Sequence, residues 1–152
     1  MIIYIDSLLQ EINILNWYQG ESAKRYDNNA DKMQTCQDQQ DALLFHLRSS
    51  VVDILQFANP NRVKFTCEYK DDSLVFSLSP LREGREYMLD ALKEAIRQYL
   101  IYEIRRLWLM NVKPDMADVS LRETLRENIR KGINDVTAIG NKVRRRYAPL
   151  GI

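Results

Sequence analysis

Histidine is almost missing from these 152 residues, His46 being the only one. A zinc site or an imidazole acid–base pair needs partners, and one imidazole between Phe45 and Leu47 in a helical pattern has none; His46 is expected at the surface or boundary of a helix. Glycine is nearly as scarce. Gly20, Gly84, Gly132, Gly140 and Gly151 are scattered and never form the spacing that cradles a phosphate after a strand, so nucleotide binding gains no support. No G-x-S-x-G nucleophile setting occurs. Cysteine is limited to Cys36 and Cys67, in segments of different character and without the close partner that a metal site or redox pair requires. Both are read as reduced thiols of a cytosolic protein, with a bridge between them left open.

Long apolar runs are also lacking. Met1 to Ile5 stops at Asp6, with no basic stretch before it and no small-residue cleavage pattern after it, unlike a signal peptide. Tyr99 to Met110 is interrupted by Glu103, Arg105 and Arg106 and falls short of the roughly 20 residues that span a bilayer. No transmembrane segment, metal or cofactor is expected.

What is abundant is charge, unevenly laid out. Residues 1–60 carry a net −4, residues 61–121 balance, and residues 122–152 carry +5. This polarity fits contact between the acidic face of one copy and the basic face of the next, an acidic partner such as nucleic acid, or two ordinary solvated faces.

Periodicity supplies the elements. Asp6 and Ser7 offer caps ahead of Leu8, Leu9, Ile12 and Leu15, which predicts a helix over about 7–17 ended by Gly20. Residues 18–40 are strongly polar and read as a solvated helix or a loop. Leu44, Leu47, Val51, Ile54, Leu55 and Ala58 mark a helix over about 41–58, with a start that reaches back as far as Asp31, before Asn59-Pro60 ends it. Over 62–79 the period changes to two. Phe65, Cys67 and Tyr69, then Leu74, Phe76 and Leu78, define one apolar face of a hairpin turning at Asp71-Asp72. A lone hairpin is marginal in water, so its edges must be covered by the domain or by another molecule.

The central helix, about 85–112, carries Met88, Leu89, Leu92, Ile96, Tyr99, Leu100, Leu107 and Met110, widened by Ile101, Ile104 and Trp108. Ser120-Leu121-Arg122-Glu123 has capping-box form and starts a last helix over about 121–147, faced by Leu125, Ile129, Val136, Ile139 and Val143 and weakened at Gly132 and Gly140; a short tail follows. The expected fold is one α+β domain over residues 1–152, predominantly α, a helical bundle around a long central helix with one antiparallel β-hairpin.

Candidate chemistry is thin. Burial of Cys67 on the hairpin's apolar face would raise its pKa and quench it. Glu83, Glu86, Asp90 and Glu94 sit in the first turns of the central helix, where they suit its positive pole and a solvated face. Glu103 is the exception, an acid in the widest apolar part of that helix, whose expected partner is Arg106 or Arg105. No catalytic, metal or cofactor-binding set emerges, and no enzymatic activity is expected. The most pointed feature is the cluster Lys142, Arg144, Arg145 and Arg146, which reads as an ordinary cationic helix end, a dock for an acidic protein surface or a binder of DNA phosphates. Interaction candidates are these four with Tyr147, the acidic residues Asp27, Asp31, Asp38 and Asp41, and the hairpin tip Lys70, Asp71 and Asp72.

An acidic helical first part, a short hairpin, an aromatic-rich central helix reading Tyr-Leu-Ile-Tyr-Glu-Ile-Arg-Arg-Leu-Trp-Leu-Met (Tyr99 to Met110) and a basic last helix together resemble phage and prophage virion structural proteins, most of all the head-tail connector or neck adaptors. The resemblance covers most of the chain in layout. It implies a ring of identical subunits in the virion, assembled in the host cytoplasm, with the portal and neighbouring head or tail proteins as partners, incidental contact with DNA, and no membrane or small-molecule substrate. The hairpin departs from that pattern and leaves head-closure or tail-completion roles open. The alternative is a DNA-binding or regulatory adaptor acting through Lys142 to Arg146, whose affinity for random duplex would fall steeply with salt.

Overall fold

The computed structural model describes residues 1–23, 39–58 and 63–137. Alternation of apolar and polar side chains builds a three-stranded antiparallel sheet: β1 (Ile2–Tyr4), β2 (Lys64–Lys70) and β3 (Ser73–Ser79), in the order β1-β3-β2. Around it lie four helices, α1 (Ile5–Ala23), α2 (Gln40–Phe57), α3 (Leu89–Val112) and α4 (Arg122–Thr137), with short 3-10 turns at Glu86–Met88 and Pro114–Met116. The fold is predominantly α with a β-hairpin, as periodicity leads one to expect.

The hairpin pairs Phe65 with Leu78, Cys67 with Phe76 and Tyr69 with Leu74, so the apolar face is the expected one. The third strand is new. Ile2, Ile3 and Tyr4 pair with Val75, Leu74 and Ser73, and Ile5 N–H donates to the Asp72 carbonyl at 2.8 Å. The short apolar run therefore closes one edge of β3, which becomes the central strand and buries Ile3, Leu74 and Phe76. Three residues are too few for period-two alternation to stand out, and the pairing partner lies some 70 residues away in sequence.

Helix α1 begins at Ile5, so Asp6 lies inside its first turn and neither it nor Ser7 stands at the cap position. It also runs through Gly20 rather than stopping before it, because Gly20 is buried and tertiary packing overrides its low helix propensity. Helix α2 holds to the expected span; any extension toward Asp31 lies outside the described residues, as do Cys36, Ile139, Gly140 and Val143.

Helix α3 is the axis of the core. It packs against α1, α2, α4 and β1, and Leu92, Ile96, Tyr99, Leu100, Ile101, Ile104, Trp108 and Leu109 are all buried. The wide stripe has this cause: residues facing three helices in turn occupy more than one third of the circumference. Met110, expected within the stripe, is instead about half exposed, turned about 100° round the helix from the buried Leu109.

The capping box does not form. Asp118 takes both the Ser120 N–H (2.8 Å) and the Ser120 hydroxyl (2.9 Å), and Glu123 turns to Arg130. Ser120 thus donates both its N–H and its hydroxyl to an ionised carboxylate two residues back, which holds it in a local turn, and α4 begins at Arg122. Further along, Gly132 lets α4 approach α3 closely: a Cβ there would lie 2.9 Å from Leu92 Cδ1 and 3.6 Å from its Cα. Gly132→Leu is expected to lower stability by about 1–3 kcal/mol through overpacking, read as a reduced urea midpoint at unchanged m.

Candidate functional site

Helix periodicity brings two acids and three arginines to the seam of α2, α3 and α4. Glu103 of α3 is 2% exposed. It accepts from Arg106 in a two-pronged pair, Nε to Oε2 at 2.8 Å and Nη2 to Oε1 at 2.6 Å, and from Arg122 of α4 at 3.0 and 3.2 Å. Asp53 of α2 accepts from Arg126 at 2.7 and 2.9 Å, from Arg122 at 3.3 Å and from the Tyr99 hydroxyl. Arg122 bridges the two carboxylates. Arg126 also lies 4.9 Å above the Phe57 ring, whose edge meets Tyr99 at 5.3 Å between centroids.

This arrangement fits a clamp between helices. Burial pushes Asp53 up, but the hydrogen bonds from Arg126 and Tyr99 and the charges of Arg126 and Arg122 outweigh it, holding its carboxyl below the usual range. Burial and then the bond to Asp53 push Tyr99 up to about 12. A general base needs a lone pair aimed at open space, and the oxygens of Glu103 and Asp53 are turned onto guanidinium groups. Glu103 does not line the nearby hollow of about 250 Å³, whose wall includes Arg106 and Tyr102.

Of the two partners expected for Glu103, Arg106 is the one found. Arg105 reaches α1 instead, donating to Asn16 Oδ1 at 2.9 Å and Gln19 Oε1 at 2.7 Å. Two residues along a helix is a turn of about 200°, which places Arg105 on the face away from Glu103. Among the described residues no group of three or more His, Cys, Asp or Glu is placed to hold a metal ion. Cys67 is raised to about 11, by burial first and then by the charge of Glu68. His46 is buried rather than at the surface, 3.4 Å from Asn111 Nδ2, and burial lowers its pKa.

Both lowered groups bind protons more tightly when unfolded, so stability is full above their unfolded values and declines as pH falls through the folded ones. Stability is expected to weaken in two stages: below about 6.5 as His46 is forced to charge, then below about 3.9 as Asp53 is protonated and releases its arginines. His46→Gln should remove the first stage alone, measured as urea midpoints from pH 7.5 to 3.

The interaction candidates divide. Lys142, Arg144, Arg145, Arg146 and Tyr147, with Asp27, Asp31 and Asp38, lie outside the described residues. Asp41 is exposed in the first turn of α2, and Lys70, Asp71 and Asp72 are exposed at the hairpin turn, with Lys70 3.4 Å from Glu68. Asp71 and Asp72 join Asp6 around a cavity of about 570 Å³ walled by Ile5, Leu44, Leu47 and Tyr69, with Gln40 and Arg48 at its side. Sequence reasoning passed over Arg48, Asp53 and Arg126, and read Asp6 only as a cap and Arg122 only as part of a capping box. A signal for the clamp exists: Arg122, Arg126 and Arg130 recur every four residues, a basic stripe on one face of α4. The hollow had none, because it is assembled from three separate segments.

Neither a protein-family model, nor a curated protein, nor a solved structure matches this chain. No helix among the described residues is long and apolar enough to cross a membrane.

Proposed function

We propose that this protein is a non-enzymatic structural subunit that works by gripping copies of itself and neighbouring proteins, of the kind that builds the head-tail connector of a phage particle as a ring. The observation that carries the reading is a contrast in how side chains are used. The acids of the helix seam are committed to arginines, while large aromatic groups stand in solvent: Trp17 and Tyr18 on α1 are 49% and 60% exposed, and Phe45 on α2 is 67% exposed. Trp17 and Tyr18 meet edge to face at 5.1 Å between ring centroids, and exposed aromatics are enriched where proteins meet. The layout of an acidic first part and a basic end adds a direction, since a heterologous contact repeated by rotation closes into a ring. The virion is the setting this reading implies.

Mass photometry of the purified chain, alone and mixed with the portal protein of the phage or prophage that this reading implies, tests the proposal. Discrete ring-sized species are expected in at least the mixture. A chain that stays monomeric in both sinks it.

A further inference from the structure

We infer that the hollow between the hairpin turn and the first turns of α1 and α2 is a socket for the basic segment Lys142 to Arg146 of a second copy of this chain. The inference rests on the assembly reading above and names its contact. The socket has an apolar wall, Ile5, Leu44, Leu47 and Tyr69, and an acidic rim, Asp6, Asp71 and Asp72, against which Arg48 is the single cation among the described lining residues. Such a surface suits a long cationic side chain, whose methylene stem lies on apolar groups while its head meets carboxylates. Four cations within five residues, at positions 142–146, match that chemistry from the other end of the chain.

Position argues that the guest comes from a neighbour. The socket lies at the turn end of the hairpin. The described part of α4 reaches the opposite end, where Arg82, just past β3, donates its N–H to the Val136 carbonyl at 2.9 Å and Arg85 reaches the Asp135 carbonyl at 3.4 Å. Seven-residue strands separate the two ends by about 20 Å. The basic cluster begins five residues beyond Thr137, so at about 3.3–3.6 Å per residue Lys142 falls short of the socket of its own molecule, and Arg144 arrives there only on a nearly extended chain. Copies stacked end to end bring guest and socket together directly. The turn itself gives the charge no local purpose: Asp71 holds φ of 48°, a setting that glycine or asparagine meets as well or better.

The test uses full-length chains with reversed charge. One carries Asp71→Lys and Asp72→Lys, the other Arg144→Glu, Arg145→Glu and Arg146→Glu; helicity and urea midpoints check that both fold. Each alone is expected to self-associate at least about 100-fold more weakly than the wild type by sedimentation velocity, because like charges then face each other. An equimolar mixture is expected to recover assembly, since each variant then meets its complement at both ends. Asp71→Asn with Asp72→Asn keeps the turn and should weaken association about 10-fold. Wild-type-like assembly of either reversed variant overturns the socket while leaving the assembly reading standing, and failure of the mixture to recover overturns the contact between copies. A wild type that remains monomeric with and without the portal overturns both.

Discussion

Replacing Glu103 with leucine is expected to cost about 3–5 kcal/mol of stability, the range for removing one partner from a buried ion pair. The size follows from what is left behind. Arg106 and Arg122 lose the carboxylate that holds them, and the Arg106 side chain is only 11% exposed, so water cannot replace the lost partner without opening the seam. Arg122 is one-third exposed and can turn outward, which keeps the loss within that range. Urea denaturation of the variant should show a lowered midpoint. Glu103→Leu combined with Arg106→Met is expected to recover part of the loss, because the stranded charge goes as well; a double variant as unstable as the sum of the two single ones would show that the pair contributes no coupling.

Phe76→Ala is expected to cost a similar amount, about 3–5 kcal/mol, by a different route. Phe76 is 1% exposed on the central strand, stacked on Phe65 at 5.7 Å between ring centroids, with a strand on either side. Neither the sheet nor the helices beneath can close the void without breaking ladder bonds, so transfer and cavity contributions add. For a domain near the lower end of the usual range of about 5–15 kcal/mol, either substitution leaves a substantially unfolded population. A loss below about 1 kcal/mol in thermal or urea unfolding would mean that this strand is not central.

Legibility in the sequence followed the range over which each interaction acts. Helices α2 and α3 and the hairpin were readable because their signal, the recurrence of apolar side chains, is local and long enough to repeat. Ile133, buried four residues beyond Ile129 yet absent from the expected face of α4, was offered by the same periodicity and passed over. Strand β1 escaped because three residues carry no period, and its role comes only from an edge left open by residues far along the chain. The capping box failed where Asp118 competed for the same serine. At the seam, Glu103 stood out as an acid in an apolar stretch, and Arg106 followed from its spacing. Asp53 did not, since one acid beside Val51 and Ile54 looks like any boundary residue until α4 is laid against it. The socket belongs to the same class, being a product of three chain segments meeting.

The position of α3 at the centre of the core has a mechanical consequence. Because this one helix is gripped by the other three and touches β1, a pull delivered to any of these elements is passed to the rest through a stiff rod of 24 residues, about 36 Å long. Load entering one end of such a subunit leaves at the other with little give between them, and a series of them would carry tension as a chain of rigid links.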